Sequence, residues 1–567
     1  MTKKSLWLMM LSGLLMFALI IGSSVTVMAE EPKYGGTLTI LETMTGLDPI
    51  TWDQTDWQWK HGNDTGFTIE HMFSGDLQKG PRGTNEYPFN SSGWIPPAVT
   101  RGELVESWEK KQNPLRLVFH LRKGIYWMEK PGVMKRREFV ASDVAYSMTR
   151  LRDARKAIKT YVDFVEKWEA TDKYTVTAFL NKWNANWAYR FGWGYYDGIQ
   201  APEQEKAGGR DWKNLAGTGP YMLKDYKTGH STTWVKNKDY WDSTVIDGKK
   251  YKLPFVDKYI LMIMKDAQSR VSALRTAKVD LQMAMGTRDY KELKKTAKGL
   301  KWAKYPGTGG YMLVMRMDKE PFTDIRVRRA LNMAVNREEI IASVLEGEGV
   351  LVNYPFPPHF KGVYTVWEDL PKSAQELFIY NPEKAKQLLK EAGYAKGFTF
   401  KGMVDSRSEM DMESMVVAYL AKVGVKLILD PTEYPAMMSK QFKKVHPSGY
   451  FFSNDHGNPF ATIRKNFVHG QTWNPYMMND PVIEKGFFST VEDESLTFDQ
   501  AQAIMKKLAV HAMDQAPAIW LPGGYGYAAW WPWVKNWYGE TKVGAHRYGP
   551  ILARIWIDQD LKKKMGK

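Results

Sequence analysis

The segment Tyr450–Pro459, YFFSNDHGNP, ends an apolar run in a polar, turn-rich stretch carrying Asp455, His456 and Asn458. Loops held on a rigid scaffold commonly display binding groups, so a carboxylate, an imidazole and an amide this close together form a first candidate ligand-contacting set. The competing role for Asp455 is to stabilise a turn or cap a helix. Trp52, Trp57 and Trp59 form a second candidate, a tight aromatic cluster in a polar segment. Indoles offer flat apolar area with a polar handle, which suits a ligand-facing wall, although loop aromatics also cap core edges. His446, His456, His469 and His511 share neither a helical face nor a standard ligand spacing, so no metal site is expected. HExxH and GxSxG are missing and no catalytic constellation emerges. These residues support reversible binding without a cofactor, and no enzyme is expected.

The scaffold must be large. Met1 to Ala29 reads as a secretory signal, with Lys3 and Lys4 before the apolar run Leu6 to Ile21 and small residues at Val27-Met28-Ala29. Its removal from 567 residues leaves 538, more than one core usually organises, so two or more lobes are expected. There is no cysteine, which excludes disulfides, thiolate metal sites, cysteine nucleophiles and a lipidated N-terminal cysteine. Without an acyl anchor, a Gram-negative periplasm is the expected compartment. The net charge of +16, or +14 without Lys3 and Lys4, is scattered among acidic residues and reads as a solvated surface, with no nucleic-acid partner implied.

Gly217 to Trp241 organises the rest of the chain. Gly217-Thr218-Gly219-Pro220 is a turn composition, attributed to glycine's access to positive φ. Tyr221 to Tyr226 and Ser231 to Lys236 follow as a hairpin around Lys227–His230. Neither GxGxxG nor GxxxxGK[ST] is satisfied, so a phosphate cradle is not expected. Val144, Met148 and Leu151 share a helical face after Ser142, a plausible N-cap. Val327, Ala330, Leu331 and Ala334 form the stripe of a packed helix capped by Asp324, and Arg326, Arg328 and Arg329 around it read as salt bridges and surface contacts rather than an anion site. Asn381-Pro382 opens another helix, with Ala385, Leu388, Leu389 and Ala392 as its stripe and Gly393 past its end. Strand, helix and strand from Tyr259 to Leu281 indicate an α/β lobe.

GTGPY with Gly229, Asn237 and Tyr240-Trp241, then PFTDIRVRRAL at 321–331, NPEKAKQLLKEAG at 381–393 and QAPAIWL at 515–521, resemble in order the landmarks of the family five solute-binding proteins, the peptide and nickel receptors of ABC importers. The resemblance runs from Tyr34 to about Trp537. It implies a two-lobed α/β periplasmic binding protein fold, large and of cluster C type, with a hinge and an interlobe cleft. Lobe I would span 30–305 with an inserted subdomain at about 61–200, lobe II 306–535, and 536–567 would return to lobe I. It also implies that Asp455, four residues before Pro459, takes a ligand α-amino group, since a ligand lacking the cation leaves a buried carboxylate unpaired. Arg407 lies near the family's carboxylate-binding arginine, and Tyr126 to Glu138 looks longer than the usual connection. The expectation is therefore a monomeric periplasmic receptor that binds a peptide or another amine-bearing solute by Asp455, Arg407, Trp52, Trp57, His456 and Asn458 and delivers it to an ABC permease. An oligosaccharide stacked on tryptophans is the alternative, and an exported hydrolase or a chaperone-like protein is less favoured.

Overall fold

The computed structural model describes residues 30–41, 47–90, 93–307, 309–408, 410–455 and 458–567, with backbone only at 309, 454 and 455. The expected signal segment 1–29 and His456 lie outside the described residues.

Two sheets carry the architecture. Thr37–Leu41 (β1), Tyr221–Lys227 (β2), Ser231–Lys236 (β3), Lys258–Met262 (β4), Leu281–Met285 (β5) and Lys301–Pro306 (β6) belong to the first. The chain then enters the second with Gly309–Met315 (β7), followed by Phe398–Asp405 (β8), Val425–Thr432 (β9), Gly449–Asp455 (β10) and Ala518–Trp520 (β11). Gly523–Trp530 (β12) is back in the first sheet, paired with both β5 and β6. The return is thus made ahead of the position, 536, expected from the sequence, because β12 must separate β5 from β6. Strand orders are β2-β3-β4-β1-β5-β12-β6, with Gly349–Val350 beside β12, and β9-β8-β10-β7-β11.

Both sheets have a parallel centre. β1 runs parallel to β4 and β5, and β8 runs parallel to β9 and β10. Such strands are covered on both faces and therefore read as nearly continuous apolar runs. Tyr450, Phe451 and Phe452 in β10, and Met312 to Met315 in β7, are all buried. The capped helices supply the cover. Asn381 accepts from the Lys384 amide with Pro382 in the first turn, and Ala385 and Leu389 are buried against helix Ile325–Met333, itself capped by Asp324. The three arginines there divide: Arg326 pairs with Asp324 and Arg329 with Asp514, while buried Arg328 clamps the carbonyls of Phe322, Thr323 and Gln515.

Within lobe I, Val105–Lys111, Arg116–Leu121, Thr175–Leu180 and Val165–Asp172 form a four-stranded antiparallel sheet with helix Ala141–Asp153 packed against it. That helix starts one residue before Ser142. Its end is tied by the Asp143 carboxylate, which accepts from the Val140 amide, so the serine expected as the cap is not one.

The expected hairpin is β2 and β3, yet the glycines before it serve a purpose other than positive φ. Neither Gly217 nor Gly219 has a positive φ. A Cβ on Gly217 would stand 2.0 Å from the Thr68 carbonyl oxygen, and one on Gly219 2.6 Å from it. That approach lets the Gly219 amide donate to Thr68 and the Tyr221 amide to Phe67. Gly217→Ala is expected to cost about 1–3 kcal/mol through overpacking against backbone, read as a lower urea midpoint.

Candidate ligand site between the lobes

Residues just past the carboxyl ends of β4, β5 and β8 line one cavity at the junction of the lobes, and the carboxyl ends of strands are where open α/β sheets accept ligands. Two strands cross between the sheets, β6 to β7 and β11 to β12. The crossings are tied together: the Gly307 amide donates to the Gly524 carbonyl at 3.0 Å, and a Cβ on Gly307 would lie 2.3 Å from that oxygen. Two adjacent crossings are what a hinge closure needs, because the φ/ψ change falls on a few residues at element ends.

A cavity of about 450 Å³ opens beside the crossings, with walls from both lobes that include Arg270, Arg288, Tyr311, Glu413 and Tyr525. Arg270 is turned to the carbonyls of Met264 and Lys265, and Arg288 reaches across the lobes to Asp411 at 3.5 Å. Buried Glu413 accepts from the Tyr311 and Ser408 hydroxyls. Burial first, and then the Glu413 charge, pushes the Tyr311 hydroxyl far above its ordinary value, so the phenol stays a neutral donor.

The sequence-predicted residues divide sharply. Asp455 is the last residue of β10, in register with Gly309 at the start of β7, which puts its Cα at the carboxyl end facing the junction. Its side chain and His456 lie outside the described residues. Asn458 is buried, caps helix Pro459–Phe467 through the Ala461 amide, and donates to Asn186 Oδ1 of lobe I at 2.7 Å. It therefore joins the lobes, with both ends of its amide engaged by protein.

Arg407 sits just beyond β8, where its guanidinium makes a two-pronged pair with Asp405, 2.6 Å at the shorter contact, and lies 4.8 Å from the centre of the Tyr434 ring. The Asp405 carboxylate raises the Arg407 pKa further, so its charge is already matched by protein.

Trp52 and Trp57 are not a cleft wall. Trp52 packs edge-on to Tyr226 of lobe I, within the large core cluster that runs through both lobes. Trp57 is buried in a side cluster with Leu151, Tyr161 and Tyr196, and its indole donates to the Leu151 carbonyl at 3.1 Å. Of the three tryptophans in that segment, Trp59 reaches lobe II: its hydrogen bond with the Tyr434 hydroxyl opposes the upward push of burial on that group, while its ring also lies 5.2 Å from that of His546 in the C-terminal segment. Sequence reading missed Tyr434 and Glu413, which sit in helices whose patterns announce packing and not contact across a cleft.

His446 and His511 have separate local partners, the Pro475 carbonyl and Asp480, each at 2.9 Å. Burial holds His446 down to about 4. The long connection Tyr126 to Glu138 folds back as paired Tyr126–Trp127 and Arg137–Glu138 and reaches the β2 region through Met128 and Lys130, away from the described cavity.

Residues 100–466 match the family described as bacterial extracellular solute-binding proteins, family 5 Middle, across more than half of the chain. The chain belongs to this family. Among its relatives, "Heme-binding protein A" of Haemophilus influenzae is 28% identical over 476 residues, 78% of this chain and 82% of that protein. "Dipeptide-binding protein" of Escherichia coli is 27% identical over 446 residues, 73% of this chain and 79% of that protein. The solved structure of the ABC transporter-associated periplasmic binding protein DppA of Helicobacter pylori, in complex with peptide STSA, superposes with a TM-score of 0.74. It is 21% identical, covering 93% of this chain and 98% of that one. The two-lobed α/β fold of these receptors is thus the fold of this family 5 protein, whose family consists of binding proteins rather than enzymes.

Proposed function

We propose that this protein is an exported, unlipidated, monomeric periplasmic receptor that captures a peptide or another amine-bearing solute between its lobes and delivers it to an ABC permease. The observation that carries this reading is the placement of Asp455. It ends β10 at the interlobe junction, beside paired crossings that allow closure. The dipeptide-binding relative and the peptide-bound structure support a peptide over a sugar. The burial of Trp52 and Trp57 in cores takes two of the indoles offered for sugar stacking away from the cleft. The receptor does its work through higher affinity of solute for the closed arrangement, not through bond chemistry.

In a thermal-shift screen of ligand-stripped protein, di- to tetrapeptides are expected to raise the melting temperature, while oligosaccharides and metal salts leave it unmoved. Asp455→Asn should weaken peptide binding by about 2–5 kcal/mol in calorimetry, the usual range for truncating one side of a buried charge pair. A response to sugars alone, or an unchanged peptide affinity in Asp455→Asn, overturns the reading.

A further inference from the structure

We propose that Arg190 of lobe I and Arg464 of lobe II form an anion subsite, assembled when the lobes close, that takes a carboxylate of the captured solute. The inference rests on the receptor reading above and extends it to a second ligand group.

Both side chains are more than nine-tenths buried, and the Nε of each lacks any hydrogen-bond partner. Neither guanidinium has a carboxylate within ion-pairing distance among the described residues. Each instead faces the same ring: the Arg190 guanidinium carbon lies 3.7 Å, and that of Arg464 5.3 Å, from the centre of Tyr161. The two cations can therefore be no farther apart than the sum of those distances. They come from opposite lobes, Arg190 from the Tyr189–Trp193 turn and Arg464 from helix Pro459–Phe467 that follows β10. Interlobe hydrogen bonds occur in the same region: Asn458 to Asn186, Thr160 to Gln471 and the Ala185 amide to the Val491 carbonyl. The acidic groups there, Asp163 and Glu492, are held by Lys182 at 3.7 and 2.7 Å.

Two like charges brought together out of water without a counter-ion are expensive, and the Tyr161 ring offsets only part of that cost. Burial, with the Arg190 charge second, lowers the Arg464 pKa to about 10, which leaves it cationic at neutral pH. The adjacent Tyr189 and Tyr196 hydroxyls are pushed up by burial and remain neutral. A carboxylate accepting from both forks would remove this penalty with charge-assisted bonds. Empty closure is disfavoured by the same repulsion, which gives the solute the differential affinity a receptor needs. Arg464 is six residues past the Asn458 cap, about 9 Å along the helix at 1.5 Å per residue.

The test compares Ala-Ala-Glu, Ala-Ala-Gln and their C-terminally amidated forms by calorimetry on wild type, Arg190→Gln and Arg464→Gln. Wild type is expected to favour at least one free carboxylate by about tenfold or more, and each variant to lose that preference while keeping its affinity for the neutral peptide. Loss on amidation assigns the terminal carboxylate, and loss on exchanging Glu for Gln assigns a side-chain carboxylate. The unliganded melting temperatures of both variants should equal or exceed that of wild type, since each relieves a repulsion. No preference in wild type, preference retained in both variants, or melting several degrees lower in both overturns the subsite. If no peptide binds, the peptide reading alone falls. Citrate then decides the subsite: a thermal shift lost in Arg464→Gln upholds it, and no shift in wild type sinks it.

Discussion

Arg547→Leu is expected to destabilise the protein by about 3–5 kcal/mol, the cost of stranding one member of a buried ion pair. Arg547 and Glu103 are both essentially inaccessible, with Nη2 and Oε1 2.9 Å apart; Arg547 also donates to the Phe73 carbonyl and Glu103 accepts from the His71 amide. The pair joins the C-terminal segment to the turn that follows strand Thr100–Gly102, so its loss loosens lobe I at long range. Urea unfolding should show the drop, and Glu103→Gln combined with Arg547→Leu should cost less than the two single changes added, because no bare charge is left.

The neighbouring Glu70 shows how much that pair matters. It is fully buried, and burial first, then the Glu103 charge, pushes its carboxyl up to about 8, although the Trp241 indole donates to it at 3.0 Å. A folded pKa above the unfolded value of about 4.5 means that the native state holds the proton longer. The associated stability is complete below 4.5 and is lost as pH rises through 8. His61, buried and held at about 4, acts in the opposite direction, with stability lost as pH falls below 6.5. Above 6.5 the His61 contribution is constant, and Lys444, lowered to about 8 by burial, adds an opposing rise only near the upper end, so the difference between wild type and Glu70→Gln reads Glu70. Stability should fall across it in wild type and fall less in Glu70→Gln.

The order of elements was legible in the sequence because caps, stripes and turn residues act over a few positions. Asn381, Pro382, Ala385 and Leu389 do in the structure what their spacing implies. The hairpin at Tyr221 likewise stands where its turn residues put it. The reason for Gly217 was not legible, since the backbone it makes room for, at Thr68, is remote in sequence. The same limit governed the cleft. An indole at 52 or 57 looks identical in sequence whether it meets a solute or Tyr226 and Tyr196, and Trp59, two residues on, reaches Tyr434. Arg407 was read as a ligand contact, and its pairing with Asp405 across the end of β8 was not legible because it depends on how the loop folds back. Arg190 and Arg464 lie far apart in the chain and follow no motif, so only closure of the lobes brings them to one tyrosine.

Arg337 is a buried cation of another kind, and its replacement should produce the largest effect in lobe II. Its guanidinium donates to the Trp520 carbonyl at 2.6 Å, to the Asn332 carbonyl and side-chain oxygen at 2.9 Å each, and to the Val335 carbonyl at 3.2 Å. Burial alone lowers its pKa to about 9. These acceptors lie at the end of helix Ile325–Met333 and on the last residue of β11, immediately before the crossing into β12. The arginine thus ties the second lobe to the strand that leaves it. Arg337→Met would take this donor from the buried Trp520 and Val335 carbonyls, while both Asn332 oxygens keep a backbone donor, from the Trp520 and Val335 amides; at about 1–3 kcal/mol for each group stranded, a loss of about 2 kcal/mol or more is expected in urea unfolding. Arg337→Lys should recover little, because a single ammonium cannot reproduce a planar fork that spans two helices and a strand. A receptor that kept wild-type stability with lysine at 337 would show that charge alone, and not the fork, holds β11 at the hinge.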